Sequence, residues 1–343
     1  MYVDCCIKRF STVPMGYGTI AAPFYSLKIQ LQTETKLMRP QKIQDKEGKA
    51  RIRKGTGNEK KGLPFTASPD PFPLANRIIC GDSREVLSHL PDQCIDIIIT
   101  SPPYNFGHSY AQDPQDDTHE WNEYFAKLFE VWRECERVLK PGGRFAVNVQ
   151  PLFSDYIPTH HIISRQLASL GLLWKAEFLW EKNNYNAKFT AWGSWKSPSM
   201  PYIKYTWEFI EVFDKTTHKK AGKRENIDIT ADEFKAWVMG KRSFPPETRM
   251  KDFDHPAMFP EELPRRLMKL FSYKDDLVLD PFNGAGTTSL VAYKNQRRFI
   301  GIDNSCQYCN SAFDRLEKDS CIVMPGENYP EPALLFWDER ENK

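Results

Sequence analysis

The sequence predicts an α/β protein in which a mostly parallel sheet is covered by helices on both faces. Three observations carry this. From Arg77 onward, short apolar runs alternate with stretches of helical spacing. One run, Ile95–Thr100 (IDIIIT), is apolar almost throughout, as a strand buried on both faces must be. Two loops rich in glycine or proline follow directly on such runs, at the sheet edge where ligands bind in this architecture.

In chain order, Ile78 to Gly81 reads as a short strand and Ser83 to Leu90 as a helix with Asp82 or Ser83 as its N-cap. IDIIIT is the second strand. Trp121 to Leu139 has apolar residues at helical spacing and stops at Lys140-Pro141-Gly142-Gly143, after which Arg144 to Val149 reads as a central strand. A helix near 158–170 and strands near 174–181 and 207–213 follow. The last part repeats the theme: helix 261–271, strand Leu277 to Asp280, helix from Thr287, strand Phe299 to Ile302 and helix from Ser305.

The chain has 343 residues, 41% of them apolar and 27% charged, which suffices for a sizeable core and disfavours wholesale disorder. No run reaches the roughly 18 apolar residues of a membrane span, and the first thirty residues lack the order of a signal peptide. The eight cysteines are scattered, which suits a reducing, cytoplasmic setting. Cys306 and Cys309 form a lone CxxC without a second pair, so no metal is expected; Cys80 and Cys94 read as buried thiols.

Charge divides the chain. Residues 1–75 hold 13 Lys and Arg against 6 Asp and Glu, and the remainder holds 34 against 39. Residues 1–75 therefore read as a basic arm, with a charged, glycine-containing run from Lys42 to Lys61 and a proline-rich stretch from Pro64 to Pro73. Residues 183–250 mix aromatic, lysine and proline residues without periodicity and read as an insertion that reads a substrate. A polyanion would meet the local basic runs at 42–61 and 215–224 rather than a basic body.

The chemistry is expected in two loops. Asp280-Pro281-Phe282-Asn283-Gly284-Ala285-Gly286-Thr287-Thr288 joins a strand to a helix; its glycines admit a ligand close to the backbone, and the helix start presents N–H groups. It matches neither the phosphate loop GxxxxGK[ST] nor GxGxxG. Asp303 ends the next strand, where a carboxylate can accept ribose hydroxyls, so a nucleoside without a phosphate chain fits; a tight turn and a plain helix cap would explain the same residues. The second loop is Thr100-Ser101-Pro102-Pro103-Tyr104-Asn105. Two prolines fix the backbone and leave carbonyls as acceptors, Ser101 adds a hydroxyl and Tyr104 a flat face on which a heterocycle can stack. A stiffened turn with a packed tyrosine is the structural alternative.

Together, SPPY and DPFNGAGTT resemble the S-adenosylmethionine-dependent amino-methyltransferases of DNA, over roughly residues 76–317. The order of motifs, with Gly81-Asp82 and SPPY first and His255-Pro256-Ala257-Met258-Phe259-Pro260 and DPFNGAG after, resembles the permuted beta class. The resemblance implies a Rossmann-like methyltransferase fold over 76–317, a tail at 318–343, S-adenosylmethionine as cofactor and double-stranded DNA as substrate. It implies that Asp82 meets the cofactor adenine and Asp303 its ribose, with Asp280, Phe282, Gly284, Gly286 and Thr287 around its methionine end. Ser101 and the Pro102 carbonyl would accept the hydrogens of an exocyclic amine, Tyr104 would stack on the base, and the methyl would pass in line from sulfur to nitrogen.

A base must leave the duplex to reach such a pocket, at a cost of a few kcal/mol. Asn105, Asn183, Lys188, Trp195, Lys196, Lys219 and Lys220 are of the types used to grip DNA, although Trp195 would serve equally as core and the lysines as a solvated face. Serine at 101 resembles the cytosine-N4 enzymes more than the DPPY adenine-N6 enzymes. An RNA or protein amide methyltransferase and a non-catalytic DNA-binding module are the competing readings. A homodimer and a cognate restriction endonuclease are the open partners of a restriction-modification system.

Overall fold

The computed structural model describes residues 74–105, 120–151, 156–183, 197–201, 203, 205–248, 258–320 and 331–336. The basic arm and most of the aromatic segment after Asn183 lie outside them.

Among the described residues, nine strands form one sheet: β1 (Arg77–Cys80), β2 (Ile95–Thr100), β3 (Leu139–Val149), β4 (Leu173–Glu181), β5 (Trp207–Asp214), β6 (Lys241–Ser243), β7 (Leu277–Asp280), β8 (Arg298–Asp303) and β9 (Ala333–Phe336). Their spatial order is β6-β4-β5-β3-β2-β7-β8-β1-β9. From β3 to β9 all pairings are parallel; β5 runs antiparallel to β3, and β4 antiparallel to β5. The parallel strands are apolar at successive positions because both faces are covered, and every residue of β2 and β7 is buried.

The α-helices among the described residues are α1 (Ser83–Ser88), α2 (Trp121–Val138), α3 (Thr159–Ser169), α4 (Ala231–Trp237), α5 (Glu262–Phe271), α6 (Thr287–Lys294) and α7 (Cys306–Ser320). Val86, Leu128, Trp132, Ile163 and Leu167 of α1–α3 pack with Ile98, Phe145 and Leu279 on one face. Leu263, Leu267, Leu290 and Leu316 of α5–α7 pack with Ile97, Ala146 and Val278 on the other. Neighbouring strand residues thus feed opposite cores, the two-residue period expected of a pleated strand. Among the described residues no helix is long and apolar enough to cross a membrane.

The structure corrects several expectations. β3 starts at Leu139, so the Lys-Pro-Gly-Gly stretch is an irregular part of the strand. Gly142 there has φ +77° and donates its N–H to the Lys215 carbonyl at 2.7 Å; a Cβ would sit 2.3 Å from the Lys219 carbonyl oxygen. Residues 207–214 and 241–243 belong to the sheet, so 183–250 is not one insertion. The tail supplies β9, paired with β1. Cys80 is joined to Cys306 in a disulfide, not a free thiol, because the end of β1 and the start of α7 meet. Cys94 is a free buried thiol, its pKa pushed up to about 11 by burial.

Lys219 and Lys220, expected to grip DNA, lie at the amino-terminal edge of the parallel strands, opposite the two loops. Lys220 is almost wholly buried and bonds Asp96 at 2.9 Å and Asp276 at 3.2 Å, while Lys140 bonds Asp96 at 2.7 Å. Burial and the neighbouring Asp96 push the Asp276 carboxyl up to about 6. Lys220 is therefore a latch holding the 215–224 segment under β2 and β7. Lys220→Ala leaves two buried carboxylates facing one another. Urea unfolding at neutral pH should show a loss of about 3–5 kcal/mol.

Candidate active site

The neighbouring parallel strands β2 and β7 bring the two loops together. Thr100, the last residue of β2, donates its hydroxyl to Asp280 Oδ1 at 2.7 Å, across 180 positions of sequence. Asp280 also accepts from the Phe282 N–H at 3.1 Å. It is fully enclosed, and burial pushes its carboxyl up to about 6 against the opposing bonds from Thr100, Thr288 and Phe282. Its carboxylate is engaged by the protein and supports both loops.

On the β2 side, the Tyr124 hydroxyl of α2 donates to the Pro103 carbonyl at 2.6 Å and anchors the proline turn. Pro102 is buried, Ser101 and Tyr104 are half-buried, and Asn105 is buried with φ +56°, a left-handed conformation that asparagine tolerates. The Ser101 hydroxyl donates to the Tyr104 hydroxyl at 3.3 Å, which donates to Glu208 Oε2 at 3.3 Å. Glu208 lies at the start of β5 and is buried. It accepts from Asn148 Nδ2 at 2.5 Å and pairs with Lys182.

On the β7 side, each bend of the glycine loop is tied down. Ser83 of α1 donates its hydroxyl to the Pro281 carbonyl. The Asn283 N–H donates to the Ile302 carbonyl at 2.9 Å and the Gly284 N–H to Asp303 Oδ2 at 2.8 Å. Gly286 has φ +77°, and a Cβ there would stand 2.6 Å from the Cβ of Ala312 on α7; the loop can approach α7 this closely only with glycine. Arg315 of α7, buried, donates to the Ala285 carbonyl at 2.6 Å and the Thr287 hydroxyl at 3.2 Å. Phe282 packs edge-on against Trp132, ring centroids 5.8 Å apart.

Asp303 ends β8 and Asp82 lies two residues beyond the end of the neighbouring β1, whose last residue Cys80 is in register with Asp303. Asp303 Oδ1 also accepts from the Ser305 N–H at 2.9 Å, so the residue clamps both the glycine loop and the turn into α7, whose Tyr308 N–H donates to the Ser305 hydroxyl. Asp82 caps α1 through the Arg84 N–H at 2.8 Å. Partial burial raises its carboxyl pKa, but the Arg84 contacts outweigh this and hold it below the usual carboxylate range. The Cys80–Cys306 disulfide joins the two segments that carry these carboxylates.

The carboxyl ends of β7, β8 and β1 thus present two carboxylates and a glycine-containing loop. Its neighbouring cations are committed, Arg84 to Asp82 and Glu130 and Arg315 to the loop carbonyl. Asn283 Nδ2 is buried without a hydrogen-bond partner. This donor set fits a nucleoside bearing a neutral or cationic chain and does not fit a phosphate chain, which needs converging N–H groups and cations.

Of the residues expected to meet DNA, Asn183 lies just beyond the end of β4, its Oδ1 accepting from the Ser243 hydroxyl at 2.8 Å. Lys188, Trp195 and Lys196 lie outside the described residues, as do His255 to Ala257 of HPAMFP. Glu208, Asn148, Lys182, Arg315 and Ser83 are residues that sequence reasoning does not single out. The one signal for Glu208 is an acid within the otherwise apolar start of a strand, WEFIEVF.

A central parallel sheet with a proline loop and a glycine loop at adjacent strand ends defines a class, and residues 95–314 match the N6/N4 model of the DNA methylase family. The chain belongs to that family. Its relatives include the type II methyltransferase M.HpaI of Haemophilus parainfluenzae, 29% identical over 72% of this chain and 76% of that one. M.BglII of Bacillus subtilis is 27% identical over 85% and 81%. Among solved structures, TTHA0409 of Thermus thermophilus, described as a DNA modification methylase and complexed with S-adenosyl-L-methionine, superimposes with a TM-score of 0.59 at 26% identity, covering 77% of this chain and 98% of that one. The cytosine-N4-specific PvuII methyltransferase shares the fold, with a TM-score of 0.56 at 20% identity over 76% and 95%.

Because the folded pKa of Asp280 lies above its ordinary value near 3.8, it contributes stability that is full below that value and is lost as pH rises through about 6. Asp280→Asn cannot ionise. Between about pH 3.5 and pH 7 the wild type should lose about 2–3 kcal/mol relative to this variant in denaturant titrations; parallel pH dependences would refute the assignment.

Proposed function

We propose that the protein is a site-specific DNA amino-methyltransferase that uses S-adenosylmethionine to methylate the exocyclic N4 of a flipped-out cytosine. The observation that carries this reading is the Thr100–Asp280 hydrogen bond, which sets the SPPY loop beside the glycine loop. An exocyclic amine conjugated to its ring is a poor nucleophile. A site that activates it must accept its hydrogens and hold its lone pair toward an electrophile. Ser101 and the Pro102 carbonyl are the acceptors and Tyr104 is the stacking face, held in place by Tyr124 and Glu208.

S-adenosylmethionine, when bound, supplies a methyl group on a positively charged sulfur. The chain binds it along the ends of β7, β8 and β1. Asp82 meets the adenine and Asp303 the ribose, since a carboxylate clamping two amides keeps lone pairs for hydroxyls. Phe282, Gly284, Gly286 and Thr287 surround the methionine end, with Asp280 and Arg315 beneath.

Ser101 in place of an aspartate favours cytosine N4; adenine N6 is the second reading, and the motif order favours the beta class. Asn105 and Asn183, together with Lys188, Trp195 and Lys196, form the grip on the strand. The family relatives named as type II methyltransferases support a place in a restriction-modification system, with a cognate endonuclease and a second copy of the chain as partners.

The test is incubation of unmodified DNA with methyl-labelled S-adenosylmethionine, followed by nucleoside analysis. N4-methylcytosine is expected, N6-methyladenine would select the second reading, and label in neither would overturn both. Tyr104→Ala should abolish transfer with cofactor affinity largely intact, and Asp303→Ala should weaken cofactor binding by about tenfold or more, the loss expected for a charged hydrogen-bond acceptor.

A further inference from the structure

The geometry points to Glu208 as a positioning residue for methyl transfer, acting through Tyr104 to hold the Ser101 hydroxyl in the orientation that accepts, rather than donates, a hydrogen bond. This rests on the proposed function.

A serine hydroxyl facing an amine is ambivalent: it has one hydrogen and two lone pairs, and turned the wrong way it donates to the nitrogen whose lone pair must stay available. The chain behind Ser101 removes that ambivalence. Glu208 is 3% exposed, and its other oxygen is paired with the Lys182 ammonium. Both of its oxygens accept, Oε1 from Lys182 and Oε2 from Asn148. The Tyr104 hydroxyl, 3.3 Å from Glu208 Oε2, must therefore point its hydrogen at the carboxylate. Its oxygen can then accept, and the Ser101 hydroxyl donates to it at 3.3 Å. With its hydrogen directed inward, Ser101 presents lone pairs outward. Asn148 Nδ2, donating at 2.5 Å, fixes the rotamer of the carboxylate from below.

Both hydroxyl contacts are long for O–H···O bonds, whose usual range ends near 3.0 Å, as is common before substrate binds and the chain tightens. Donation from an amine onto Ser101 would polarise the Ser101–Tyr104–Glu208 chain in one direction, and each bond would strengthen the next. The arrangement delivers a carboxylate's influence to a site whose first acceptor is a hydroxyl. Three segments far apart in sequence, the ends of β2 and β3 and the start of β5, build it.

The test is a double-mutant cycle in which transfer from labelled S-adenosylmethionine to unmodified DNA of mixed sequence is measured at saturation and at limiting DNA. Glu208→Gln should lower kcat by about tenfold or more while the KM values for DNA and cofactor move by no more than about twofold. Tyr104→Phe keeps the stacking ring and removes the relay hydroxyl, and should lower kcat by a similar factor. The double variant should be no slower than the slower single one, because both changes cut the same chain.

A kcat for Glu208→Gln close to that of the wild type, or single losses that multiply in the double variant, would overturn the assignment. Should Glu208→Gln fail to fold, Lys182→Met repeats the cycle at a partly exposed partner: a loss in kcat that vanishes in the Tyr104→Phe background supports the chain, and an unchanged kcat overturns it. A wild type that transfers no label sinks the proposed function and this inference together, whereas an active wild type with uncoupled variants sinks only the inference.

Discussion

The parallel pairing of β2 with β7 is the constraint on which the site depends. Ile97 lies opposite Val278 and Ile98 opposite Leu279, and one step beyond the ladder Thr100 meets Asp280. All these residues are buried, so a slip in register would turn apolar side chains to the wrong face and separate the Thr100 hydroxyl from its acceptor. Two loops that are remote in sequence are thereby held at fixed spacing without touching a ligand. The cost is a buried carboxyl. Asp280 has Thr100, Thr288 and Phe282 as its hydrogen-bond donors, and burial still dominates, which is why its proton is held unusually tightly.

The two edges of the sheet divide the labour. At the amino-terminal edge, Asp96, Asp276, Lys140 and Lys220 form a closed network that compensates buried charge and fixes the chain between β5 and α4. At the carboxyl-terminal edge, charges are placed one layer behind the surface: Glu208 behind Tyr104, and Arg315 behind the glycine loop. Arg297 does the same for the scaffold, wholly buried and bonded to Asp228 and to the Ser272 carbonyl, so that the loop before α4 is pinned to the end of α5. Backbone turns with few apolar contacts of their own are thus held by side chains from neighbouring elements. Such positioning is what a site needing fixed acceptors demands.

Much of this was legible in the sequence because strong local signals agree. The burial of IDIIIT on both faces, the helical period of Trp121–Val138 and the glycines after LVLD each predict an element within a residue or two of its observed bounds. What was missed is what only tertiary contact decides. β6 and β9 are three and four residues long and extend the sheet by pairing with β4 and β1, which no period in so short a run reveals. α4 is a seven-residue helix set by a capping box between Thr230 and Glu233. Lys220 misleads because a lysine in a basic run usually faces water, and the two aspartates that bury it come from strands more than fifty residues away in either direction. The supporting side chains behind the two loops were invisible for the same reason: Glu208, Arg315 and Ser83 carry no motif, and their meaning comes from what they touch.

That division also explains why the motif residues alone underdetermine the chemistry. SPPY supplies a hydroxyl, a carbonyl and a ring, but a hydroxyl has no intrinsic polarity and a ring no fixed azimuth. Behind them stand Tyr124, bonded to the Pro103 carbonyl, and Glu208, bonded to the Tyr104 hydroxyl. The same holds across the cleft, where Asp303 fixes the Gly284 amide and Arg315 the Ala285 carbonyl before a ligand arrives. A loop so held loses little ordering entropy on binding. Substitutions behind the motifs should therefore weaken the rate while leaving the binding surface in place.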